Sequence, residues 1–384
     1  MLFSLAMGGF AIGTTEFAAM SLVPYFAPAL GIDEPTAGHV ISAYALGVVV
    51  GAPIIAVLAA RLARRTLLIG LMTMFAVGNG LSAFAPSYDW MLLFRFLSGL
   101  PHGAYFGVAA LVAADLAPPH RRAQAVSYVM AGLTIATVAG VPVANWLGQV
   151  IGWRSGFAIV TVLAMATALL VTLFVPRDRA PEGASPLREL GALGKRQVWL
   201  TLAAGAIGFG GLFCVYTYVA STMMEVTGMP ATLVPLILAV FGLGMTLGNL
   251  FAGWAADKAL MRTAAGMFLF SALSLALYPM AAHNVWALAV IIFAIGMGGG
   301  VGVVLQTRLM DVAGEAQTLA AALHHSAFNV ANALGPWLGG LAIAHGYGWT
   351  STGWVGSLLA LGGALILGVA AWDARHALRR PAYC

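Results

Sequence analysis

Glu16, in FAIGTTEFAAM, and Arg95 and His102, in MLLFRFLSGLPHGAYFG, carry charge or a titratable proton where the surrounding sequence is apolar enough for lipid. A charge at bilayer depth costs roughly 2.5–3.5 kcal/mol on insertion scales, so it needs a partner, a water-filled cavity, or both. At about 100° per residue, Gly99, His102 and Phe106 fall within about 40° of the Arg95 direction, a stripe expected to face a cavity. Glu16 offers the counter-charge. An acid that meets an arginine in one arrangement and loses it in another can take up and release a proton, and a permanent salt bridge is the alternative. Arg95 alternatively bonds helix-end carbonyls, and His102, beside Pro101 and Gly103, alternatively bonds a neighbouring carbonyl.

The elements that position these groups must be membrane helices. The 384 residues are 61% hydrophobic and 8% charged, with a mean hydropathy of +0.93. Soluble domains carry about 25% charged residues, so a water-soluble packing is excluded, and the expectation is an all-α integral membrane fold. Apolar runs predict twelve spans, at 3–27, 39–60, 66–86, 90–115, 124–150, 155–175, 197–222, 231–256, 263–282, 284–308, 318–344 and 350–372. The first run lacks a basic leader region and reads as a span. The long polar linker at 176–196 separates an N-terminal six-helix half, 1–175, from a C-terminal half, 197–384, with a short tail. The two cysteines, Cys214 within a span and Cys384 at the end, make no disulfide framework.

Charge placement predicts orientation. Every lysine and arginine except the intramembrane Arg95 and Arg154 falls on the linker's side, whereas Asp33, Glu34, Asp89 and Glu225 fall on the other. By the positive-inside rule, both termini and the linker are cytoplasmic in a multi-pass protein of a bacterial-type inner membrane. The formal charge of +5 and pI near 9.4 therefore reflect topology and attraction to anionic lipid, with no nucleic-acid partner.

An internal repeat at an offset of 197 lays GAPIIAVLAARLARR (51–65) over GNLFAGWAADKALMR (248–262), and Gly99 and Gly103 over Gly296 and Gly300. Both copies run toward the linker side, so the halves are parallel repeats that rock about a midplane site. At the same offset Glu16 meets Phe213, Arg95 meets Ile292 and His102 meets Gly299. Packing needs recur in both halves, so the unmatched ionisable groups assign charge coupling to the first.

These residues together resemble the major facilitator superfamily, in particular its twelve-span drug:proton antiporter family and the branch of sugar, nucleoside and purine exporters. GTTEF (13–17) matches that branch's acidic first-span signature and RFLSGLPHGAYFG (95–107) its fourth-span pattern. GLTIATVAGVPVANWLG (132–148) is similar to the fifth-span antiporter motif through Gly140 and Pro142, with a valine between them, and HSAFNVANALGPWLGG (325–340) to the eleventh span. The superfamily pattern after the second span has an acid, a basic residue and a glycine before a basic pair. Here Ala60 and Ala63 replace the acid and the glycine ahead of Arg64 and Arg65, while the acid persists in the second half as Asp257.

The resemblance implies proton-coupled export of a small organic solute by alternating access. Glu16, Arg95 and His102 would then couple the proton, and Arg61, Arg65, Asp115, Pro142, Asp257 and Lys258 would form the gates. Phe17, Phe106, Phe213, Tyr216, Asn329 and Asn332 would line the substrate path, although aromatic residues such as Phe213, Tyr216 and Tyr218 also simply pack in spans. His324 and His325 either join that path or sit solvated near the interface. No Walker-type loop appears, so the proton gradient, and no cofactor or metal, is the expected energy source. The partners are a small-molecule substrate, protons and membrane lipids, and a monomer is expected. A proton-coupled importer or facilitator has the same architecture, and a non-transporting receptor is the different class. No nucleophile–base pair marks an enzyme. The orientation is checked by reporter fusions: a reporter at the C-terminus is expected to be active only in its cytoplasm-dependent form, and activity only in the periplasm would reverse the topology.

Overall fold

Lipid offers the backbone no hydrogen-bonding partner, so a chain of this composition must close its peptide groups within helices. The computed structural model, which describes residues 1–58, 62–116, 122–177, 193–313 and 317–377, meets that requirement, and no strand occurs among the described residues. Among the described residues, ten helical stretches are long and apolar enough to cross a membrane. One of them, Ala231–Ala281, is two spans in one, because Ala259 leaves helical geometry at φ −160° and ψ 72° and bends the chain. Gln317–Ala342 carries histidines, asparagines and a glutamine that lower its hydropathy, and it completes the twelve.

The first span is Leu2–Ser21, continued past Leu22 by Val23–Ala29; the second is Glu34–Leu58 and the third Arg64–Ala83. Asp33 opens the second, its Oδ1 accepting from the backbone N–H of Thr36 at 2.9 Å. The fourth is broken into Tyr88–Gly99 and His102–Leu116 around Pro101, whose ring nitrogen cannot donate to the preceding turn. The fifth runs through Arg122–Ile135 and a π turn, Ala136–Gly140, into Val141–Val150. Pro142 sits just beyond that turn, and widening the helix there relieves the clash of its ring with the carbonyl four residues back. The sixth is Arg154–Phe174.

In the second half, Arg196–Gly208 and Gly210–Glu225 make the seventh span, and Val234–Ala281 the eighth and ninth. Val285–Gly298 with Val301–Ala313 makes the tenth, Gln317–Ala342 the eleventh and Ser351–Ala377 the twelfth. The sequence places a loop at 257–262; the structure keeps these residues helical apart from the bend at Ala259.

The repeat is visible residue by residue. A β-carbon on Gly47 would run into the carbonyl of Phe96, one on Gly51 into that of Leu100, and one on Gly99 into that of Tyr44. At an offset of 197, Gly244 faces the carbonyl of Phe293, Gly248 that of Met297, and Gly296 that of Phe241. Glycine at these sites lets two backbones touch, as membrane helices do when side chains are removed from the contact. The halves meet through an aromatic group in which Phe17 packs on Phe213, Tyr216 and Phe241 at centroid distances of 6.0, 5.4 and 6.3 Å. At the end away from the linker they are tied by Ser42 Oγ donating to the Ala333 carbonyl at 2.9 Å and Gln149 Nε2 donating to that of Ala231 at 2.8 Å. The Ser221 hydroxyl donates to Glu34 at the same end.

Overpacking costs about 1–3 kcal/mol. Gly99→Ala and Gly296→Ala are therefore both expected to lower the melting temperature of the purified protein. Gly70→Ala, where nothing lies within 4 Å of the new carbon, is expected to leave it unchanged. Equal melting temperatures for all three would remove the close contacts from the account of stability.

Candidate functional site

Arg95 is fully buried inside the first half, with four elements around its guanidinium. Nη1 lies 3.2 Å from Thr15 Oγ1 on the first span and 3.4 Å from Asn79 Oδ1 on the third. The group lies 4.3 Å from the ring centroid of Tyr44 on the second span and 5.3 Å from that of Phe157 on the sixth. Thr15 Oγ1 donates to Asn79 Oδ1 at 2.7 Å, and Asn79 Nδ2 donates to the Phe75 carbonyl at 2.9 Å, so the acceptors are themselves held. Amide and hydroxyl oxygens with aromatic faces thus hold the charge, and Nε has no hydrogen-bond partner among the described residues.

The stripe of Arg95, Gly99 and His102 forms, and it packs against the second span. All three converge on Tyr44: Arg95 on its ring, Gly99 on its carbonyl, and His102 Nδ1 on its hydroxyl at 2.9 Å. Phe106, one turn on, faces the other half, its ring stacked on His325 at 5.2 Å and 6°. His102 and His325 lie 6.3 Å apart. His324 is buried with its ring 4.3 Å from Phe328, so it is not solvated.

Glu16 has its hydrogen-bond partner in the other half. No ion pair joins it to Arg95 among the described residues; its Oε1 instead accepts from Asn332 Nδ2, on the eleventh span, at 3.2 Å. Both side chains are buried, Glu16 at 7% and Asn332 at 0% exposure. Asn329, one turn back, donates through Nδ2 to the His325 carbonyl at 2.9 Å and turns Oδ1 toward Asn332 Nδ2 at 3.5 Å. Phe17, the next in the chain, opens the aromatic group of Phe213, Tyr216 and Phe241, and the Tyr216 hydroxyl has no hydrogen-bond partner among the described residues. The structure therefore gathers Glu16, Phe17, Phe213, Tyr216, Asn329 and Asn332 where the halves meet, and sets Arg95 inside the first bundle. Tyr218 stands apart, donating to the Pro336 carbonyl at 2.9 Å.

Of the residues expected at the gates, Arg61 lies outside the described residues. Asp115 pairs with Arg64, and Arg65 donates to the Thr172 carbonyl, tying the third span to the fourth and sixth at the linker end. Asp257 and Lys258 sit on the exposed side of the bend at Ala259, with the Lys258 ammonium 3.6 Å from the Trp254 ring centroid. Among the described residues no cluster of three His, Cys, Asp or Glu side chains could hold a metal.

Sequence reasoning passed over Tyr44, Thr15 and Asn79. Tyr44 had a signal: its counterpart at offset 197 is Phe241, so its hydroxyl belongs to the first half alone, as Arg95 does. Thr15 and Asn79 are small polar residues in apolar runs, where a hydroxyl or amide commonly bonds its own helix, and only the fold brings them to one guanidinium.

Comparison with known proteins identifies the family of the fold. The profile described as Major Facilitator Superfamily matches residues 5–221 and again 201–382, one match per half with an overlap in the seventh span. The chain is 39% identical to "Inner membrane transport protein YdhP" of Escherichia coli (strain K12), across 95% of this chain and 94% of that protein. It is 33% identical to "Chloramphenicol resistance protein" of Streptomyces lividans, across 93% of each. Its fold is shared by a bacterial homologue of the human lysosomal transporter Spinster, solved in an inward-facing, unoccupied conformation, at a TM-score of 0.72 and 18% identity, across 96% of this chain and 94% of that one. A doubled six-helix unit, a matching profile in each half and relatives that cover nearly the full length lead to one conclusion: the chain is a multi-pass membrane transporter, not an enzyme, and belongs to the Major Facilitator Superfamily.

Proposed function

We propose that this transporter exports a small organic solute across the inner membrane in exchange for protons, with Glu16 carrying the proton and both termini in the cytoplasm. The observation that carries the reading is the position of the Glu16 carboxyl: it is buried where the two halves meet and hydrogen-bonded to the second half instead of ion-paired with Arg95. An acid there is desolvated by closure of either side and re-exposed by rocking, which is what a carrier of one proton per cycle requires. A proton moving down the membrane potential yields about 2.3 kcal/mol per 100 mV, enough to drive uphill movement of a neutral solute by some tens of fold. The relative named for chloramphenicol resistance favours the outward direction.

Arg95 serves as the fixed positive charge against which the acid is set, held by Thr15, Asn79 and Tyr44, while His102 extends this polar chain through Tyr44 toward the second half. Phe17, Phe106, Phe213, Tyr216 and Asn329 form the solute's walls, with aromatic faces for a flat or apolar surface and amide groups for orientation. The Arg64–Asp115 pair and the Arg65 contact with the sixth span hold the first half's gate, Asp257 and Lys258 stand at the matching bend of the second, and Pro142 supplies flexure in the fifth span.

A thermal-shift screen across sugars, nucleosides and lipophilic drugs identifies the transported compound, and uptake into inverted vesicles then measures direction. Glu16→Gln, fixed in the protonated form, is expected to bind that compound and to lose gradient-driven uptake; wild-type uptake would move the proton elsewhere, with His102 the first candidate. Arg95→Ala is expected to cut transport by roughly tenfold or more, with Arg95→Lys recovering only part, because lysine lacks the flat guanidinium that lies over the Tyr44 and Phe157 rings. Full transport by Arg95→Ala would remove the arginine from the mechanism.

A further inference from the structure

We infer that Asn332 is the residue through which the second half reads the charge on Glu16, a positioning residue for the coupled proton; the inference rests on Glu16 being the proton carrier. The geometry is specific. Asn332 Nδ2 reaches Glu16 Oε1 at 3.2 Å and faces Asn329 Oδ1 at 3.5 Å, whereas Asn332 Oδ1 has no hydrogen-bond partner among the described residues and the side chain is fully buried. An ionised carboxylate only accepts hydrogen bonds, so the amide must present its nitrogen to it, as it does here. A protonated carboxyl has an O–H to donate, and the empty Oδ1 is the acceptor in reach after a half-turn of the amide. That half-turn also takes Nδ2 away from Asn329, whose own amide is anchored on the His325 carbonyl.

The amide thus has two arrangements, each matched to one charge state of Glu16. The residue after Asn332 passes the difference on, since the Ala333 carbonyl accepts from Ser42 Oγ of the second span and helps to hold the far end of the two halves together. In this cycle the proton enters on Glu16 as an O–H that donates to Asn332 and leaves toward the linker side, with no covalent step. Titratable and charged groups come to this place from each element packed around it. They are Arg95 and His102 on the fourth span, Tyr44 on the second, His324 and His325 on the eleventh, and Tyr216 on the seventh. All of them remain in the variants below, so a change in titration is assigned to the pair.

The test needs no substrate. In a Cys384→Ser background, spin labels at Ser87→Cys and His283→Cys, both exposed at the end away from the linker, report the distance between the halves in liposomes. In the wild type the ratio of short to long distances is expected to change at least about threefold between pH 5 and 9, and Glu16→Gln is expected to abolish the change. Asn332→Leu is expected to reduce it to about the noise of Glu16→Gln, Asn332→Gln to restore part of it, and Glu16→Gln with Asn332→Leu to match Glu16→Gln alone. Asn332→Ser, smaller and still polar, serves if the leucine variant does not fold, and is expected to titrate less than the wild type. Titration of Asn332→Leu like the wild type, or an equal displacement at every pH, overturns the inference and leaves Glu16 as carrier. Titration of Glu16→Gln like the wild type, or none by the wild type, overturns the carrier and the inference together.

Discussion

A guanidinium with no exposed surface has to be held in the middle of an apolar bundle, and much of the first half is arranged to do so. Four spans each send one side chain to Arg95, and none of the four is an acid. A buried ion pair can cost more in desolvation than it returns, so neutral oxygens and aromatic faces hold the charge without neutralising it. The positive field of Arg95 therefore persists toward the neighbouring Glu16, which is left to bond across to the other half. The separation of a fixed cation in one bundle from a buried acid at the seam follows from that choice of partners.

The fold could be read from the sequence because lipid leaves few alternatives: apolar runs of span length, a polar linker and one-sided basic residues suffice for the helices and their pairing into halves. The glycine register at an offset of 197 was legible as well, since backbone contact requires the missing side chain at both sites. The local breaks were not. Pro101 interrupts the fourth span and Ala259 bends the eighth into the ninth, yet an alanine carries no sign of non-helical geometry; the tertiary contacts impose it.

The site was legible by residue and not by neighbour. Glu16, Arg95 and His102 stand out because a polar group in an apolar run is costly. Helical spacing placed Arg95, Gly99 and His102 on one face, yet what that face meets depends on the second span, which brings Tyr44 to all three. The pairing of Glu16 with Asn332 joins residues 316 positions apart in the chain, a separation over which sequence periodicity carries no information.

The contacts of Gly47, Gly51 and Gly99 with facing carbonyls act as a set of teeth. Sliding either helix by one residue would bring the side chain of Leu46, Val48 or Ala52 against a carbonyl that now meets bare backbone, so the second and fourth spans are locked in register against translation. The same teeth recur in the eighth and tenth. The second and fourth spans, and likewise the eighth and tenth, are thereby coupled as pairs, so that movement of one is not absorbed by slippage along the other.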